Sequence, residues 1–217
     1  RIVHSCGFDS IPSDLTVYAL YKAAEADGAG ELTDTDYVLR GFSGGVSGGT
    51  VASMLELFSR TSGDEELRQA MFDPYTLTTD RGAEPDLGHQ TDTPWRRGRD
   101  IAPELAGTWT GAFVMAVANT RIVRRSNALL DREYGRRLRY SEHMSLGSSP
   151  IAPVASALGT AANAAVMNLG SRFFNKLPRG LIDRVVPKPG TGPSEQARDK
   201  GHYRVETYTR TTSGARY

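Results

Sequence analysis

The residue types best suited to chemistry lie in a glycine-rich loop, Ser43-Gly44-Gly45-Val46-Ser47-Gly48-Gly49-Thr50. Residues 37–42 before it are typical of a strand, and residues 51–60 after it place apolar side chains at helical spacing. A strand that enters a helix through such a loop presents bare N–H groups and a positive helix end, which can hold a phosphate, another anion or a carbonyl oxygen. The same glycines are equally typical of a tight turn with unusual backbone angles. The residues alone leave both interpretations open.

A second loop of this kind, Cys6-Gly7-Phe8-Asp9-Ser10, precedes a predicted helix that begins near Pro12 and ends at Gly28. The loop combines hydroxyl, thiol and carboxylate groups. Cys6 beside a positive helix end could act as a nucleophile or an acid. A single cysteine at a strand end is more often a small buried hydrophobe, which is the favoured interpretation of Cys6.

Strands and helices in alternation must position these loops. The predicted strands are residues 1–5, 37–42, 75–79, 111–118, 138–144 and 203–211, with a returning strand at 215–217. The predicted helices are residues 12–27, 51–60, 64–72, 119–130 and 151–169. A chain of 217 residues can bury a large core in one domain or slightly more.

Three further stretches could bind a ligand or partner. Residues 80–104 form a long polar stretch around Trp95, and such stretches are usually lids, binding loops or disorder; an anchor for the loop is the favoured interpretation of Trp95. Residues 144–171 carry no charged side chain and could cover an apolar ligand or pack on a second subunit, although a plain core helix is favoured. Residues 121–139 are rich in arginine, which suits phosphate or an acidic protein, although a solvated face is the default interpretation. These arginines are Arg121, Arg124, Arg125, Arg132, Arg136, Arg137 and Arg139.

Composition argues against several classes of protein. The 26 basic and 25 acidic residues nearly balance, which argues against a general nucleic-acid binder. Cys6 is the one cysteine, so an intramolecular disulfide framework is excluded and a reducing cytoplasm is expected. Four scattered histidines without cysteine pairs predict no metal site. The opening Arg1-Ile2-Val3-His4 has no signal-peptide pattern.

The segment Gly45-Val46-Ser47-Gly48-Gly49 matches G-x-S-x-G, the nucleophile elbow of serine hydrolases. His143 or His202 could serve as the base for Ser47, but nothing fixes an acid beside either, and no oxyanion motif of the His-Gly-Gly type is present. The loop does not match a phosphate-binding P-loop, because no lysine follows its last glycine. A hydrolase that uses Ser47 stays a less favoured alternative.

Several motifs spread over nearly the whole chain are Ser5-Cys6-Gly7-Phe8-Asp9-Ser10-Ile11-Pro12-Ser13-Asp14-Leu15, Ser47-Gly48-Gly49-Thr50, Arg125-Ser126-Asn127-Ala128-Leu129-Leu130, Tyr134-Gly135, Tyr140-Ser141-Glu142 and Pro189-Gly190-Thr191-Gly192-Pro193-Ser194. Together they resemble the saccharopine dehydrogenase-like oxidoreductases, and most closely their actinobacterial branch, the trans-acting enoyl reductases. The resemblance implies an α/β (α+β) fold in which a mixed β-sheet carries helices on one face and often serves in dimerisation.

The resemblance also implies an NADP-binding Rossmann domain upstream of Arg1. Ile2 and Val3 already have the character of residues inside a strand, and no initiator methionine precedes them, so we interpret the chain as a piece of a longer protein. Residues 1–27 would then be the end of the Rossmann domain. Residues 28–217 would be the substrate and dimerisation domain, truncated at its C-terminus.

The reaction implied by this branch is the NADPH-dependent reduction of an enoyl thioester on a polyketide synthase, for cell-envelope lipids. Hydride goes to the β-carbon, while the protein stabilises the developing enolate oxygen and delivers a proton. Candidate catalytic residues are Ser47 and Thr50 for the enolate and Tyr140 as the proton donor, although Tyr140 could equally be a core tyrosine. Candidate cofactor-binding residues are Cys6, Gly7, Asp9 and Ser10. Candidate substrate-binding residues are Gly48, Gly49, Asn127 and Trp95.

The expected partners follow from the same resemblance and from the arginine excess. They are a lipid or polyketide thioester, an acyl carrier protein on the arginines of residues 121–139, and a second copy of the chain in a homodimer. The expected location is the cytoplasm, with peripheral membrane contact through residues 144–171 left open. The non-enzymatic alternative is a lipid-binding or dimerisation module that keeps the fold without chemistry.

Overall fold

A mixed β-sheet organises the chain. The computed structural model describes residues 6–45, 48–170, 172 and 190–217. In this part of the chain the strands are β1 (Leu32–Ser43), β2 (Thr110–Ala112), β3 (Arg139–Ser145) and β4 (His202–Thr211), in the order β2-β3-β1-β4. Strand β3 runs parallel to β1 and antiparallel to β2. The predicted α/β fold with a mixed sheet is therefore confirmed.

The helices are α1 (Ile11–Ala26), α2 (Gly48–Gly63), α3 (Glu65–Phe72), α4 (Gly98–Ile101), α5 (Ala116–Leu129), α6 (Ala152–Ala165) and α7 (Glu195–Asp199). Helix α1 carries Pro12 in its first turn, where the missing N–H has no partner to lose, and ends just before Gly28, whose φ is +62°. The helices predicted at residues 12–27, 51–60 and 64–72 are therefore confirmed. So is the returning strand, because the Tyr217 and Thr209 backbones exchange two hydrogen bonds.

The chain divides into two compact units. The first comprises Arg1–Arg40, Asp73–Thr160 and Val205–Tyr217, and the second comprises Gly41–Phe72 and Ala161–Arg204. This division does not test the predicted boundary between residues 27 and 28, which stays a prediction. The strand predicted at residues 1–5 lies outside the described residues.

Side chains on β3 alternate between the two sides of the sheet, as the period of a strand requires. Tyr140 and Glu142 point to the side covered by α5, where Asn119 contacts Glu142. Ser141 and His143 point to the opposite side and interact with β1. The apolar cluster of this opposite side consists of Val38, Ile101, Ala102 and Leu105, with Tyr208 packed against it.

The central strand predicted at residues 111–118 is wrong. Only Thr110–Ala112 forms a short strand, and α5 already begins at Ala116, so Asn119 lies in the first turn rather than capping it. A short apolar run cannot be assigned to strand or buried helix by periodicity alone. The alanines at its end, which favour a helix, decided the outcome.

The strand predicted at residues 75–79 is also wrong. The Asp73 carboxylate accepts a hydrogen bond from the Tyr75 N–H at 2.9 Å, and the Thr78 N–H donates to the Tyr75 carbonyl at 3.0 Å. An aspartate that binds the backbone two residues further on closes a turn. This local turn overrides the strand propensity of the residues that follow it.

The uncharged stretch of residues 144–171 forms α6 and a π-helical turn at Val166–Gly170. The predicted plain core helix is wrong for one face of α6, because Val154 and Leu158 are 60% and 66% exposed, and Ile151 immediately before the helix is 73% exposed. Ala152 and Ser156 on the other face are buried. No helix among the described residues is long and apolar enough to cross a membrane.

Candidate functional site

Two glycine-rich segments that are distant in sequence meet in the second unit. The Gly48 N–H donates a hydrogen bond of 2.9 Å to the Thr191 carbonyl. Together the segments line a pocket of about 550 Å³, whose lining residues are Ser43, Gly44, Gly45, Thr191, Gly192, Pro193, Ala197 and Lys200. Residues 43–45 and 191–193 therefore belong to one site, together with Ala197 and Lys200, and we call this site the glycine pocket.

Two glycines of this pocket cannot carry a side chain without strain. Gly44 and Gly45 have φ of +114° and +83°. A Cβ on Gly44 would lie 3.2 Å from the Gly201 Cα, and one on Gly45 would lie 3.1 Å from the Pro193 Cγ. Both glycines thus serve the turn and its close packing.

The structure around the glycine pocket includes residues that are predicted to bind the enolate or the substrate. The N–H of Gly48 is already bound by Thr191, so it is engaged within the protein. Gly49 and Thr50 follow in the first turn of α2. Their predicted roles stay predictions. Ser47 lies outside the described residues.

The Cys6–Ser10 loop is open at one end and anchored at the other. Cys6, Gly7 and Asp9 are exposed, so the interpretation of Cys6 as a buried hydrophobe is wrong. Ser10 is buried, and its hydroxyl donates to Oδ1 of Asn119 at 3.0 Å. The exposed residues are accessible to a cofactor, and their predicted role stays a prediction.

A buried polar network connects α5 to β3. Asn119 donates to Oε2 of Glu142 at 3.0 Å, and the Tyr140 hydroxyl donates to Oε1 of Glu142 at 2.8 Å. Among the described residues the Ser13 hydroxyl of α1 has no hydrogen-bond partner of normal geometry, but it lies near enough to the Glu142 carboxylate to favour the charged form of Glu142. Glu142 itself is completely buried.

Burial dominates the electrostatics of this network. It raises the pKa of Glu142 to about 7, although Ser13, Asn119 and Tyr140 act in the opposite direction. Burial and the neighbouring Glu142 also raise the pKa of Tyr140 well above its usual value. Because its hydroxyl is buried and already hydrogen-bonded, Tyr140 is a core tyrosine. Its predicted role as proton donor has no support in these contacts and stays a prediction.

A second polar cluster lies on the opposite side of the sheet. Asp36 accepts hydrogen bonds from Ser141 at 2.6 Å and from Nε2 of His143 at 2.9 Å, and it pairs with Arg96 at 3.0 Å. Burial raises the pKa of Asp36, but His143, Arg96 and Ser141 outweigh it and leave the pKa below its usual value. Asp36 and Arg96 also line a cavity of about 370 Å³.

This second cluster is not a nucleophilic triad. In a triad the serine and the carboxylate bind opposite nitrogens of the histidine. Here Ser141 and Asp36 both approach Nε2 of His143, while Nδ1 has no hydrogen-bond partner among the described residues. The other histidine proposed as a base, His202, contacts the Ser43 hydroxyl at 2.8 Å through Nδ1.

Asn127 and Trp95 have defined partners. Asn127 donates to the Gly135 carbonyl and accepts from the Tyr134 N–H, both at 3.0 Å, so its amide fixes the turn after α5. The Trp95 indole donates to Ser156 at 2.8 Å, which supports its interpretation as a loop anchor. Trp95 is still 49% exposed and can contact a ligand, whereas a substrate role for Asn127 has no support in its contacts.

The arginine-rich stretch is not uniformly solvated. Arg121 and Arg124 are 5% and 3% exposed, and both form ion pairs with Asp92. The default interpretation as a solvated face is therefore wrong for these two residues. Arg125, Arg136 and Arg137 are exposed.

Among the described residues no cluster of three or more His, Cys, Asp or Glu side chains could hold a metal ion.

Sequence reasoning did not find the Glu142 network or the burial of Arg124. The alternation of polar residues along β3 was the sequence signal that could have indicated the network. Polar residue types are typical of a solvent-exposed face, so the signal favoured exposure rather than burial. The partner residues Asn119 and Asp92 lie far away in sequence.

Three relatives are similar over the whole chain. A Mycobacterium tuberculosis protein, provisionally named a trans-acting enoyl reductase, is 65% identical over 217 residues. The trans-acting enoyl reductases of Mycobacterium bovis and Mycobacterium ulcerans are each 61% identical over 218 residues. Each alignment covers 100% of this chain and 52% of the relative, so the chain spans about half the length of the curated relatives it matches.

The names of these relatives match the branch that the sequence motifs resemble. Membership of the saccharopine dehydrogenase-like family stays a prediction. No family model and no solved structure matches the sequence.

Proposed function

We propose that this protein takes part in the NADPH-dependent reduction of an enoyl thioester in lipid biosynthesis. The observation that carries the proposal is the identity of 61–65% with trans-acting enoyl reductases over the whole chain. The chain would supply the substrate side of the enzyme. The other half of the relatives' length would supply the Rossmann domain with its nucleotide-binding turn.

The exposed end of the Cys6–Ser10 loop fits a cofactor. Cys6 and Asp9 are accessible, and a Cβ on Gly7 would meet nothing within 4 Å, so the backbone there can be approached closely. NADPH would supply the hydride when bound. Cys6, Gly7 and Asp9 would contact the cofactor, whereas the Ser10 hydroxyl is bound by Asn119 and would hold the loop in place.

The glycine pocket would receive the thioester end of the substrate. The N–H groups of Gly49 and Thr50 lie at the positive end of the sixteen-residue helix α2, which favours a developing negative charge on an oxygen atom. Ser47 would add a hydroxyl. Three glycines, Pro193 and Ala197 form much of the pocket lining, which suits the apolar chain of a lipid thioester.

The proposed macromolecular partner is an acyl carrier protein, an acidic protein that presents the thioester. Arg125, Arg136 and Arg137 are among the exposed arginines of residues 121–139 and would contact it. Charge complementarity of this kind mainly steers encounter and orientation.

A chimera tests the proposal directly. This chain would replace the matching half of the Mycobacterium bovis enoyl reductase, and NADPH oxidation would be followed with a long-chain enoyl thioester. We expect NADPH binding, seen by nicotinamide fluorescence, and reduction in the chimera but not in the chain alone. A folded chimera that binds NADPH but reduces no enoyl thioester would contradict the proposed reaction.

The exposed apolar face of α6 favours a second candidate, a lipid-binding or dimerisation module without chemistry. Ile151, Val154 and Leu158 together leave a stripe of large apolar side chains uncovered. This candidate predicts fatty-acyl binding or dimerisation by the chain alone, with no NADPH binding in the chimera. A fluorophosphonate that labels Ser47 would instead favour the hydrolase alternative.

A further inference from the structure

A serine and a histidine are paired at the edge of the glycine pocket. Nδ1 of His202 lies 2.8 Å from the Ser43 hydroxyl oxygen, although the two residues are 159 positions apart in the sequence. Both belong to the second unit, and both are exposed. The described lining of the pocket includes Ser43 but not His202. The serine of the pair is therefore the one that borders the pocket.

The backbone holds this pair in place. The His202 N–H donates to the Ser43 hydroxyl oxygen at 3.2 Å, so His202 contacts that oxygen through both its backbone and its ring. The ring packs against Gly41, where a Cβ would lie 3.4 Å from Nε2 of His202. A Cβ on Gly201 would lie 3.3 Å from the Ser43 carbonyl oxygen, so glycine allows the chain before His202 to approach Ser43 this closely. The hydroxyl and the imidazole are thus positioned for each other.

The hydrogen bonds of the Ser43 hydroxyl decide where its proton can go. A hydroxyl has one proton to donate and two lone pairs that accept. The His202 N–H uses one lone pair, and Nδ1 of His202 uses the other whenever it carries a proton. The Lys200 carbonyl oxygen lies 3.5 Å away, well beyond the usual O–H···O distance of about 2.8 Å. A protonated His202 therefore leaves the Ser43 proton free for a molecule in the pocket.

The surroundings of this pair suit proton transfer to an anion. Among the described lining residues Lys200 carries the only charge, and it is positive. Histidine is the side chain that most readily gives and takes a proton near neutral pH. The Tyr140 hydroxyl, in contrast, is buried and already donates to Glu142. Ser43 has what Tyr140 lacks, namely an exposed hydroxyl on a pocket and a titratable side chain that can supply its proton.

We propose that Ser43 is the proton donor of the enoyl reduction and that His202 supplies its proton. This role rests on the proposed function, in which a hydride reaches the β-carbon and leaves a thioester enolate in the glycine pocket. The Ser43 O–H bond breaks as its proton forms the new C–H bond at the α-carbon, and the thioester carbonyl forms again. The Nδ1–H bond of the His202 imidazolium breaks as its proton passes to the serine oxygen. Water then re-protonates the exposed imidazole.

The test uses the chimera, with kinetics and the stereochemistry of the product as separate measurements. We expect Ser43→Ala to lower kcat about 100-fold, within the range of general-acid effects, and to change KM less than 3-fold. Reduction by 4-deuterated NADPH in D2O places one deuterium on each carbon, and NMR coupling constants show whether both additions have fixed faces. A fixed donor protonates one face, so we expect a single product from the wild-type chimera and a mixture from Ser43→Ala, where water is the donor.

Conservative and matched variants assign the effect to the pair. Ser43→Thr keeps the hydroxyl and should restore both kcat and the single product. His202→Gln should lower kcat about 10-fold or more while the product stays single, because the serine still faces the substrate. Ser148→Ala and His89→Gln change exposed residues of the first unit and should leave kcat unchanged. Thermal unfolding checks that each variant is folded.

A measurement without catalysis tests the geometry in the chain alone. The 15N signal of His202 Nδ1 should shift in Ser43→Ala and not in Ser148→Ala, because only Ser43 contacts that nitrogen. Equal kcat for wild-type and Ser43→Ala chimeras, or a loss of kcat with a single product, would overturn the role of Ser43 and leave the proposed function standing. A wild-type chimera that binds NADPH and reduces no enoyl thioester would overturn both.

Discussion

The Tyr140 hydroxyl donates a hydrogen bond of 2.8 Å to Oε1 of Glu142, two residues further along the same strand. Both side chains are buried between the sheet and α5. Burial raises the pKa of Glu142 to about 7, so an acidic group that titrates near neutrality lies inside the first unit. This relationship leads to two predictions.

We expect Glu142 to make the folded chain less stable as the pH rises from about 4 to about 7. An unfolded glutamate has a pKa of about 4.3, whereas the folded value is about 7, so the folded state binds the proton more tightly. The group has no effect below the unfolded pKa, and ionising it in the fold costs about 4 kcal/mol above the folded pKa. Urea unfolding across this pH range measures the slope.

Glu142→Gln should flatten this pH dependence, because glutamine cannot ionise. Glu66→Gln, at an exposed position of α3, should leave it unchanged. A difference between wild-type and Glu142→Gln protein that stays constant from pH 4 to pH 8 would contradict the prediction. Asp36 acts with the opposite sign: its pKa is lowered, so its stabilisation is present above the unfolded pKa of about 3.9 and is lost as the pH falls further.

Tyr140→Phe separates a structural role from a catalytic one. The substitution removes a buried donor to Glu142, and we expect a loss of about 1 to 3 kcal/mol in unfolding free energy. Because the hydroxyl is bound and buried, we expect kcat in the chimera to change less than 3-fold, which is a small change beside general-acid effects of about 100-fold or more. A 100-fold loss of kcat with unchanged stability would establish Tyr140 as the proton donor.

Local patterns predicted most of the elements but not which residues meet. The aromatic and β-branched residues of β1 and the helical spacing in α2 are short-range signals, and both predictions hold. The contact between Gly48 and Thr191 joins segments about 140 residues apart, and no periodicity encodes such a contact. The burial of Arg124 on α5 depends in the same way on Asp92, which belongs to the stretch of residues 80–104.

The sequence predicted which types of residue form the candidate site, but not how those residues come together. The glycines of residues 43–50 indicated unusual backbone angles, and Gly44 and Gly45 have them. A polar strand such as residues 139–145 is typical of a solvated surface, so Glu142 and His143 gave no sign that both would be fully buried. Buried polar residues are recognised only once their hydrogen-bond partners from other elements are known.

Gly44→Ala tests the glycine pocket. The new Cβ would meet the Gly201 backbone at 3.2 Å in a conformation with φ of +114°, so we expect a loss of about 1 to 3 kcal/mol and weaker enoyl thioester reduction in the chimera. Gly159→Ala is the control, because it lies in the interior of α6 with nothing within 4 Å, and alanine there should stabilise by about 0.5 to 1 kcal/mol. Equal stability of Gly44→Ala and wild-type protein would show that the pocket tolerates a side chain.

The proposed carrier-protein surface is tested by reversing charge at exposed arginines. The double variant Arg136→Glu and Arg137→Glu should lower kcat/KM for a carrier-bound enoyl thioester about 10-fold in the chimera, and the loss should shrink at high salt because surface electrostatics are screened. Turnover of a free thioester should not change, since neither arginine lines the glycine pocket. Arg60→Glu with Arg99→Glu makes the same charge change elsewhere and should spare both substrates. Arg124 is unsuitable for this experiment, because a glutamate at its buried position beside Asp92 would disrupt the fold. An equal loss on carrier-bound and free thioesters would mean that Arg136 and Arg137 act on the enzyme itself rather than on carrier docking.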